Sequence, residues 1–303
     1  MIVSDRYISA NITAYSLKKK TMNSILNALT IDVEEHFQVH AFQRVVDRSA
    51  WDRYPSRVVA NTRRILYLLG QHDVRATFFV LGWVADRYPD LVKEIAASGH
   101  EVATHGYWHE LVYCQTPEEF AADLYRSLEA IGRACNGLQP GGYRAPSFSI
   151  TNQSLWALDI LREHGITYDS SIFPLAAHDR YGINNADRFA NKMGNGLWEF
   201  PVSTVRLGKQ NWPVAGGGYF RLFPLWITRH AIRHLNAQEH PAVVYLHPWE
   251  FDPDQPRIPG APLLSRFRHY VNIDKTESRL QALLDEFEFA PMSKVFVSYL
   301  EAV

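Results

Sequence analysis

The sequence contains little cysteine. Its 303 residues include two cysteines, Cys114 and Cys135, which do not form a Cys-x-x-Cys pair. Such a chain has neither the disulfide framework of small secreted domains nor the thiolate ligands of a structural zinc site. Any metal site must therefore be built from histidine and carboxylate side chains, and the 13 histidines leave that option open.

An excess of positive charge is also missing. The 31 Lys and Arg residues and the 32 Asp and Glu residues give a net charge of −1 at pH 7. A protein that binds nucleic acid through bulk electrostatics carries a basic excess or a basic patch. We therefore expect no nucleic-acid partner.

Long apolar runs are missing as well. The longest, residues 76–85, is too short to cross a bilayer. The basic residues 18–20 are followed by an apolar patch that polar residues interrupt, which does not resemble a secretory signal. These absences predict a cytoplasmic protein with no integral membrane segment. Residues 1–21 are polar and aperiodic, so we interpret them as a disordered N-terminal extension.

From residue 25 onward, strand-like and helix-like segments alternate. Predicted strands cover residues 25–33, 76–81, 101–104, 142–145, 166–169, 198–207, 242–246 and 294–300. Predicted helices cover residues 57–72, 90–98, 117–137, 155–163, 224–237 and 278–287, and residues 172–196 are predicted to be irregular. This alternation is typical of an α/β fold with a parallel sheet. Because no Gly-x-Gly-x-x-Gly motif follows the first strand, we favour a (β/α) barrel over a Rossmann sheet.

Polar and ionisable side chains stand at the ends of five predicted strands. Active sites of α/β barrels collect at the carboxyl ends of the strands, so we expect these side chains to lie together. They are Asp32 and Glu34, His105, Arg144, Asp169, and His247.

Two histidines and the first of these strands suggest a metal site. His105 and His109 are four residues apart, which on a helical turn places both imidazoles on one face. Asp32 and Glu34 are two residues apart and point to the same side of an extended strand. Two histidines and one carboxylate, with positions left open for water and substrate, are typical of a hydrolytic Zn²⁺ site. The alternative is a solvated acidic patch at the end of the strand.

Five ordered motifs resemble those of the NodB-homology polysaccharide deacetylases, carbohydrate esterase family 4. They are residues 30–35 (TIDVEE), 105–109 (HGYWH), 142–146 (GYRAP), 168–171 (YDSS) and 245–248 (YLHP). Three further segments resemble the branch found in exopolysaccharide and exosortase-associated gene clusters: 179–182 (DRYG), 214–220 (VAGGGYF) and 247–257 (HPWEFDPDQPR). The resemblance implies a distorted (β/α) barrel of about seven repeats, with residues 22–303 as the catalytic domain.

The resemblance also implies a metal-ligand set. Carried over by matching motif, His105 and His109 would bind the metal. The commonest family pattern has a second aspartate directly after the first as the third ligand, but Val33 stands there in this chain. Glu34 is our replacement ligand, and Glu35 is the second choice because it points the other way on a regular strand.

Proton-transfer roles follow from the same resemblance. Asp32 would be the general base, and Arg144 would hold its carboxylate. His247 would be the general acid that protonates the leaving amine, so it needs an acidic partner. Asp169 is the expected partner by its motif, with Asp179 and Glu250 as alternatives.

Substrate contacts are expected around the turn at Pro146 and several aromatic rings. A backbone N–H just after Pro146, that of Ser147, would stabilise the oxyanion. Two or three of the following aromatic side chains would line a sugar groove, and the others would pack in the core: Trp108, Tyr143, Trp212, Tyr219 and Trp249. Segments 172–196 and 208–220 are expected to form the substrate wall over the metal.

The function implied by the resemblance is that of a metal-dependent hydrolase. It would remove N-acetyl groups from an amino-sugar polysaccharide or its precursor in exopolysaccharide biosynthesis, with the N-acetylated oligo- or polysaccharide as its partner. Zn²⁺ is the expected metal, with Co²⁺ or Ni²⁺ as substitutes. Two alternatives remain at this point: a hydrolase of a non-sugar amide C–N bond, and a metal-free carbohydrate-binding protein with a degenerate site.

Overall fold

In the computed structural model, the described residues are 25–175 and 182–301. The predicted extension at residues 1–21 and the segment 178–181, with Asp179, lie outside them. Within the described ranges, no helix has both the length and the apolar character needed to cross a membrane.

A curled sheet of short, mainly parallel strands forms the centre of the fold. The strands, including those of a separate hairpin, are β1 (Asn27–Val33), β2 (Thr77–Val80), β3 (Glu101–Thr104), β4 (Gly142–Tyr143), β5 (Tyr168–Asp169), β6 (Asn191–Lys192), β7 (Trp198–Glu199), β8 (Thr204–Leu207), β9 (Gln210–Pro213), β10 (Val243–Leu246) and β11 (Phe289–Ala290). The sheet order is β10-β1-β2-β3-β4-β5-β7-β6, and β11 pairs with the beginning of β1. Only β6 runs antiparallel to its neighbour in the described part of this sheet. The predicted α/β class and distorted barrel are confirmed, as a parallel sheet curled into a half-barrel.

Helices cover the outside of this sheet. They are α1 (Val58–Gln71), α2 (Gly82–Arg87), α3 (Pro89–Ala97), α4 (Pro117–Ala134), α5 (Ala157–Glu163), α6 (Gly217–Leu222), α7 (Leu225–Asn236), α8 (Leu263–Tyr270), α9 (Thr276–Leu284), α10 (Met292–Val295) and α11 (Val297–Leu300). α4 begins where the sequence predicts, because Thr116 and Glu119 form a reciprocal capping box. On α1, Ile65, Leu68 and Leu69 are buried at helical spacing and belong to the main core.

The strand register aligns the functional side chains along one edge. Thr30–Val33 of β1 pair with Thr77–Val80 of β2, which in turn pair with Glu101–Thr104 of β3. Thr104 pairs with Tyr143 of β4. The residues that follow these strands therefore emerge at the same carboxyl edge, where α/β folds place their sites. All seven residues of β1 are buried, so the backbone that carries Asp32 is held in a rigid position.

Two segments differ from the sequence predictions. Residues 294–300, predicted as a strand, lie in the short helices α10 and α11, while the last strand is β11. Met292 and Phe296 are buried four residues apart, and short apolar runs of this kind fit a helix as well as a strand. Segment 208–220, predicted to be irregular, contains β9 and the start of α6.

Candidate active site and metal centre

The predicted general base is held at the end of β1. Asp32 Oδ1 lies 2.7 Å from Arg144 Nη1, and both side chains are buried. The same guanidinium donates to Thr30 Oγ1 at 2.7 Å and to the carbonyl and hydroxyl oxygens of Ser170 at 3.2 and 2.9 Å. Because its donors are satisfied by β1 and by the residue that follows β5, Arg144 fixes the carboxylate in one orientation.

Glu34, His105 and His109 come together next to this base. One donor atom from each lies within 4.8 Å of the others. Glu34 Oε2 is 2.5 Å from His109 Nε2 and 3.9 Å from His105 Nε2. Burial alone would raise the pKa of Glu34, but the three neighbouring imidazoles of His109, His247 and His105 lower it below its usual range. An ionised carboxylate facing two imidazoles is a donor set that suits a divalent cation.

The two carboxylate oxygens of Glu34 have different surroundings. Oε1 accepts from Trp249 Nε1 at 3.0 Å, whereas the buried Oε2 faces the imidazole nitrogens of His109 and His105 without a hydrogen bond of good geometry. A buried acceptor of this kind costs free energy unless something else satisfies it. The residues present therefore fit a metal ion at Oε2.

The two histidines are brought together by a turn and not by the helix that their spacing predicted. Gly106 has φ 72° and His109 has φ 53°, both outside the right-handed helical region. Asp123 of α4 accepts from the backbone N–H of Tyr107 at 2.7 Å and of Trp108 at 3.0 Å, which fixes the turn. A helix would have left these N–H groups to bond along its own axis.

His105 is also oriented by the backbone. Its Nδ1 hydrogen-bonds the carbonyl of Arg144 at 2.7 Å, which directs Nε2 toward Glu34. Burial lowers the pKa of His105 to about 4, so the imidazole is neutral at pH 7 and has a lone pair for a cation. A carbonyl behind a metal-binding histidine is a common arrangement that fixes its tautomer.

Glu35 points away from this cluster. Its carboxylate accepts from the backbone N–H of Arg57 at 3.0 and 3.1 Å and of Val58 at 3.2 Å, and from the hydroxyl of Ser56. These contacts cap the N-terminus of α1, where a negative charge is favourable. Of the two glutamates considered as the third ligand, only Glu34 lies beside the histidines.

His247 is paired with Glu250. His247 follows β10, and its Nδ1 lies 2.5 Å from Oε1 of Glu250, which sits in the 3₁₀ turn Pro248–Phe251. Burial alone would lower the pKa of His247, but the hydrogen bond and charge of Glu250 raise it to about 9. On the other side of the imidazole, Nε2 lies 3.8 Å from Asp32 Oδ2.

Asp169 is not the partner of His247, so that prediction is wrong. Asp169 accepts from Ser171 Oγ at 2.5 Å and shares a hydrogen bond with Glu199, its register neighbour on β7. The reason is local: the 3₁₀ turn after His247 brings Glu250, three residues on, back to the imidazole. Asp169 stays behind the site, where Ser171 links it to the backbone N–H of Ala145.

A cavity of about 340 Å³ opens over the catalytic cluster. Besides Asp32, Glu34, His105, His109 and His247, its lining includes Ser147, Gly217, Gly218 and Tyr219. Gly216 allows this wall to approach, since a Cβ there would lie 2.2 Å from the Tyr245 carbonyl oxygen. Of the segments predicted to form the substrate wall, residues 217–219 line this cavity. Residues 184–189 line a separate depression with Arg206 and Lys209.

Three of the aromatic rings predicted to bind sugar have other surroundings in the structure. Tyr143 is buried in a core cluster with Phe120, because it alternates with Arg144 along the chain. Trp108 packs on the main core and lies outside the cavity lining. Trp249 does line the cavity, but it is buried, with its ring stacked on His247 and His269.

The remaining predicted contacts lie at the cavity or on the surface. Tyr219 is half-buried in the cavity wall, and Ser147 is half-buried with φ 53°. Pro146 is buried directly before Ser147. Trp212 is exposed on β9 and does not reach the cavity.

Two family models match the chain. Residues 49–168 match the model described as Polysaccharide deacetylase, a range that contains His105, His109 and Arg144. The chain contains a polysaccharide deacetylase domain. Residues 170–297, which contain His247 and Glu250, match a model described as Domain of unknown function (DUF3473).

Curated deacetylases are similar to part of the chain. It is 36% identical over 99 residues to the peptidoglycan-N-acetylglucosamine deacetylase of Bacillus cereus. It is 37% identical over 101 residues to the chitooligosaccharide deacetylase of Bradyrhizobium sp.. These matches cover 32% and 33% of this chain and 36% and 43% of the two relatives, so the chain spans less than half their length.

A solved structure shows that the fold extends beyond the matched deacetylase segment. A Mycobacterium smegmatis protein, assigned to the polysaccharide deacetylases, has a TM-score of 0.63 at 20% identity. The similarity covers 93% of this chain and 92% of that chain. The deacetylase fold therefore includes the region of the second family model.

Sequence reasoning missed two residues of the candidate site and gave a third, Trp249, a different role. Arg221 on α6 donates to Glu250 Oε2 at 2.7 Å, and Asp123 fixes the histidine turn. Trp249 was expected against sugar but holds Glu34. The sequence had no signal for Arg221, while the His-x-x-Glu spacing of His247 and Glu250 was a readable hint of a capped turn.

Proposed function

We propose that this protein is a hydrolase that removes N-acetyl groups from the amino sugars of a polysaccharide or of its precursor. The observation that carries the proposal is the convergence of the base, the Glu34–His105–His109 cluster and His247 on one cavity. The similar proteins named as peptidoglycan and chitooligosaccharide deacetylases support the same reaction. The second family match supports a role in exopolysaccharide biosynthesis, the branch that the sequence motifs resemble.

Asp32 is the general base in this reaction. Arg144 binds Oδ1, so the second oxygen, Oδ2, takes the proton from the attacking water. Since Oδ2 lies 3.8 Å from His247 Nε2, the base and the acid act on the same acetamide group.

The backbone N–H of Ser147 donates to the oxyanion. In this turn, the N–H groups of Phe148 and Ser149 bond to the carbonyls of Ala145 and Pro146. Among the described residues, no backbone carbonyl pairs in this way with the Ser147 N–H. A donor that is fixed by its turn and faces the cavity is suited to charge that develops in the transition state.

His247 is the general acid. Glu250 holds a proton on its imidazole, and Nε2 delivers a proton to the leaving nitrogen of the sugar. Burial alone would raise the pKa of the Glu250 carboxyl, but Arg221 and His247 lower it below its usual range. Glu250 therefore remains the anion that a protonated imidazole requires.

Glu34, His105 and His109 hold a divalent cation, with Zn²⁺ as the first choice and Co²⁺ or Ni²⁺ as substitutes. The buried Glu34 Oε2, which faces the two imidazoles, supports this role. When bound, the cation supplies Lewis acidity to the acetamide carbonyl and to water.

Acetate release tests the reaction. The purified protein, incubated with Zn²⁺ and a panel of N-acetylglucosamine oligomers, is expected to release acetate and leave free amines on the sugar. The Asp32→Asn protein is the matched blank, because the change removes only the proton acceptor. A zinc-loaded protein that releases no acetate from any member of the panel contradicts the proposal.

Cation binding tests the ligand set separately. Glu34→Gln should weaken Zn²⁺ binding at least about 10-fold in calorimetry, because one charged ligand becomes a weak neutral one. Glu35→Gln is the control, since this carboxylate caps α1 and should leave zinc affinity unchanged. Equal zinc affinity of the two variants would contradict the ligand assignment.

A further inference from the structure

Helix α8 presents apolar side chains to solvent. Leu263, Leu264 and Phe267 are 81%, 59% and 55% exposed, while His269 is the one buried residue of this helix. At about 3.6 residues per turn, the three apolar residues fall on one arc, and His269 lies on the opposite side. In a globular domain the apolar arc of a surface helix normally faces the core. The reversed orientation indicates that this arc serves a contact.

The exposed arc is continuous with the catalytic cavity. Phe267 lines that cavity, and so does Leu222, which is 45% exposed at the end of α6. Val39 and Val271 extend the same lining. A cavity built only for sugar would offer hydrogen-bonding groups along this route, because the hydroxyls of a sugar need partners when they leave water. The route between the catalytic cluster and α8 is instead lined mainly by apolar side chains, with Ser265 among the polar ones.

A positive charge lies beside this apolar part of the cavity lining. Arg268 lines the cavity next to Phe267, and its side chain is exposed. The carboxylates in the same lining, Asp32 and Glu34, are bound to Arg144 and Trp249, and none of the described carboxylates forms an ion pair with Arg268. An exposed guanidinium at this place is suited to a phosphate group.

We propose that the substrate is an N-acetylated amino sugar joined through phosphate to an apolar chain. The sugar occupies the catalytic end of the cavity, the phosphate binds Arg268, and the chain lies over Leu222 and Phe267 toward the exposed arc of α8. Charge complementarity and the mainly apolar lining favour this occupant over a second protein. The inference rests on the proposed deacetylation and specifies the chemical form of the precursor on which this reaction acts.

A chain-length series tests the inference. The substrates are N-acetylglucosamine 1-phosphate esterified with methyl, butyl or octyl, all below their micelle concentrations. KM for acetate release should fall by about 10-fold or more from methyl to octyl, because each buried CH₂ strengthens binding about fourfold. Leu222→Ser and Phe267→Ser should each remove most of this gain. Leu207→Ser, at an exposed residue of β8 outside the cavity lining, is the matched control and should retain it.

A second experiment tests the phosphate contact. The octyl phosphate ester should bind better than the neutral octyl glycoside, and Arg268→Gln should remove this preference while keeping the dependence on chain length. Arg268 accepts a hydrogen bond from Arg221 through its backbone carbonyl only, so the substitution leaves that contact in place.

The outcomes separate the inference from the reaction. Equal KM values across the series, with acetate released, would overturn the inference and leave the proposed function standing. If no ester releases acetate, calorimetric binding of the same series decides: affinity that rises with chain length supports the inference, and equal affinity overturns it. The protein is also sedimented with phosphatidylglycerol vesicles: binding that Phe267→Ser abolishes, together with equal KM values across the series, would also overturn the inference and assign α8 to a membrane surface.

Discussion

Two buried arginines, Arg144 and Arg221, support opposite sides of the active site. Both rank among the largest fully buried side chains of the described residues. Arg144 binds the carboxylate of Asp32, which itself faces the cavity. Arg221 binds the carboxylate of Glu250, but His247 stands between that carboxylate and the cavity.

The difference lies in the number of groups in the chain of ion pairs that starts at each arginine. On the side of Arg144, the chain ends at one carboxylate, that of Asp32. On the side of Arg221, it passes from the carboxylate of Glu250 to the imidazole of His247, whose pKa is raised. Under the roles proposed above, a buried cation thus supports either a base or an acid, depending on whether an imidazole is interposed.

The largest effect is expected from Asp32→Asn. The amide is similar in size and still reaches Arg144, but it cannot accept a proton, so turnover should fall by about 10⁴ or more at every pH. Zinc affinity should stay close to that of the unmodified protein, because Asp32 is outside the ligand cluster. Acetate release and zinc calorimetry check both statements. A variant that loses zinc along with activity would assign Asp32 to the ligands.

His247→Ala is expected to have the next largest effect. Removing the proton donor should lower kcat by roughly 10²–10⁴, the usual contribution of positioned proton transfer. Zinc binding should persist, since the nearest Glu34 oxygen lies 3.9 Å from the imidazole. Release of zinc from this variant would show that His247 is a ligand and that the two sides differ less than described.

Glu250→Gln is the matched counterpart of Asp32→Asn and should have a smaller, pH-dependent effect. Glu250 raises the pKa of His247 to about 9, and the acid works only when protonated, so activity is lost as pH rises through this pKa. The glutamine cannot provide the negative charge, so the alkaline limb of the kcat profile should move at least about one unit lower. At lower pH the rates of the two proteins should converge.

The control for this shift is Glu277→Gln. Glu277 pairs with Arg64 on the surface of α9, away from the cavity lining. The alkaline limb of the kcat profile of Glu277→Gln should remain in place. An equal shift in both variants, or a uniform loss at all pH values in Glu250→Gln, would mean that Glu250 acts on the fold and not on the charge of His247.

The smallest effect concerns the carboxyls behind the site. Asp169 and Glu199 are buried together, and burial and the neighbouring carboxylate raise the pKa of Glu199 well above its usual range. A raised pKa in the folded state means that stability is present at lower pH and is lost as pH rises through it. Glu199→Gln removes this titration, so its Tm should fall less than that of the unmodified protein as the pH rises above about 4.3, the usual pKa of a glutamate. The expected difference is about 2–4 °C for each kcal/mol.

Calorimetric Tm values at several pH values check this prediction. Activity at pH 7 should change little in Glu199→Gln, because the pair contacts neither the base nor the acid. Parallel Tm curves for the two proteins would show that the pair does not titrate in this range.

The side of the site that the sequence predicts best is the one built from regular strands. Asp32, His105 and Arg144 follow parallel strands, so the rule that functional residues gather at carboxyl ends was enough to group them. Alternation along β1 likewise separated Glu34 from Glu35. The same alternation, applied at Arg144, would have placed Tyr143 in the core.

The other side depends on contacts between distant parts of the chain. Arg221 reaches Glu250 across 29 positions and the backbone carbonyl of His269 across 48. No local sequence pattern predicts such pairs. The choice of Glu250 over Asp169 was likewise decided by the 3₁₀ turn after His247, and not by the spacing of the motifs. Helix α8 was missed because its apolar residues face solvent, so it lacks the pattern of a core-facing helix.

The cap that Glu35 forms on α1 has a thermodynamic consequence for the neighbouring cation site. β1 fixes the backbone before Glu34, and the bonds from Arg57 and Val58 to Glu35 fix it directly afterwards. Loading with a cation therefore orders a few side-chain torsions and no segment of backbone. The heat capacity of the protein should hardly change on loading, in contrast to zinc fingers, whose folding is driven by the metal. Cation exchange is then limited by ligand protonation and access, and the chain stays folded between one ion and the next.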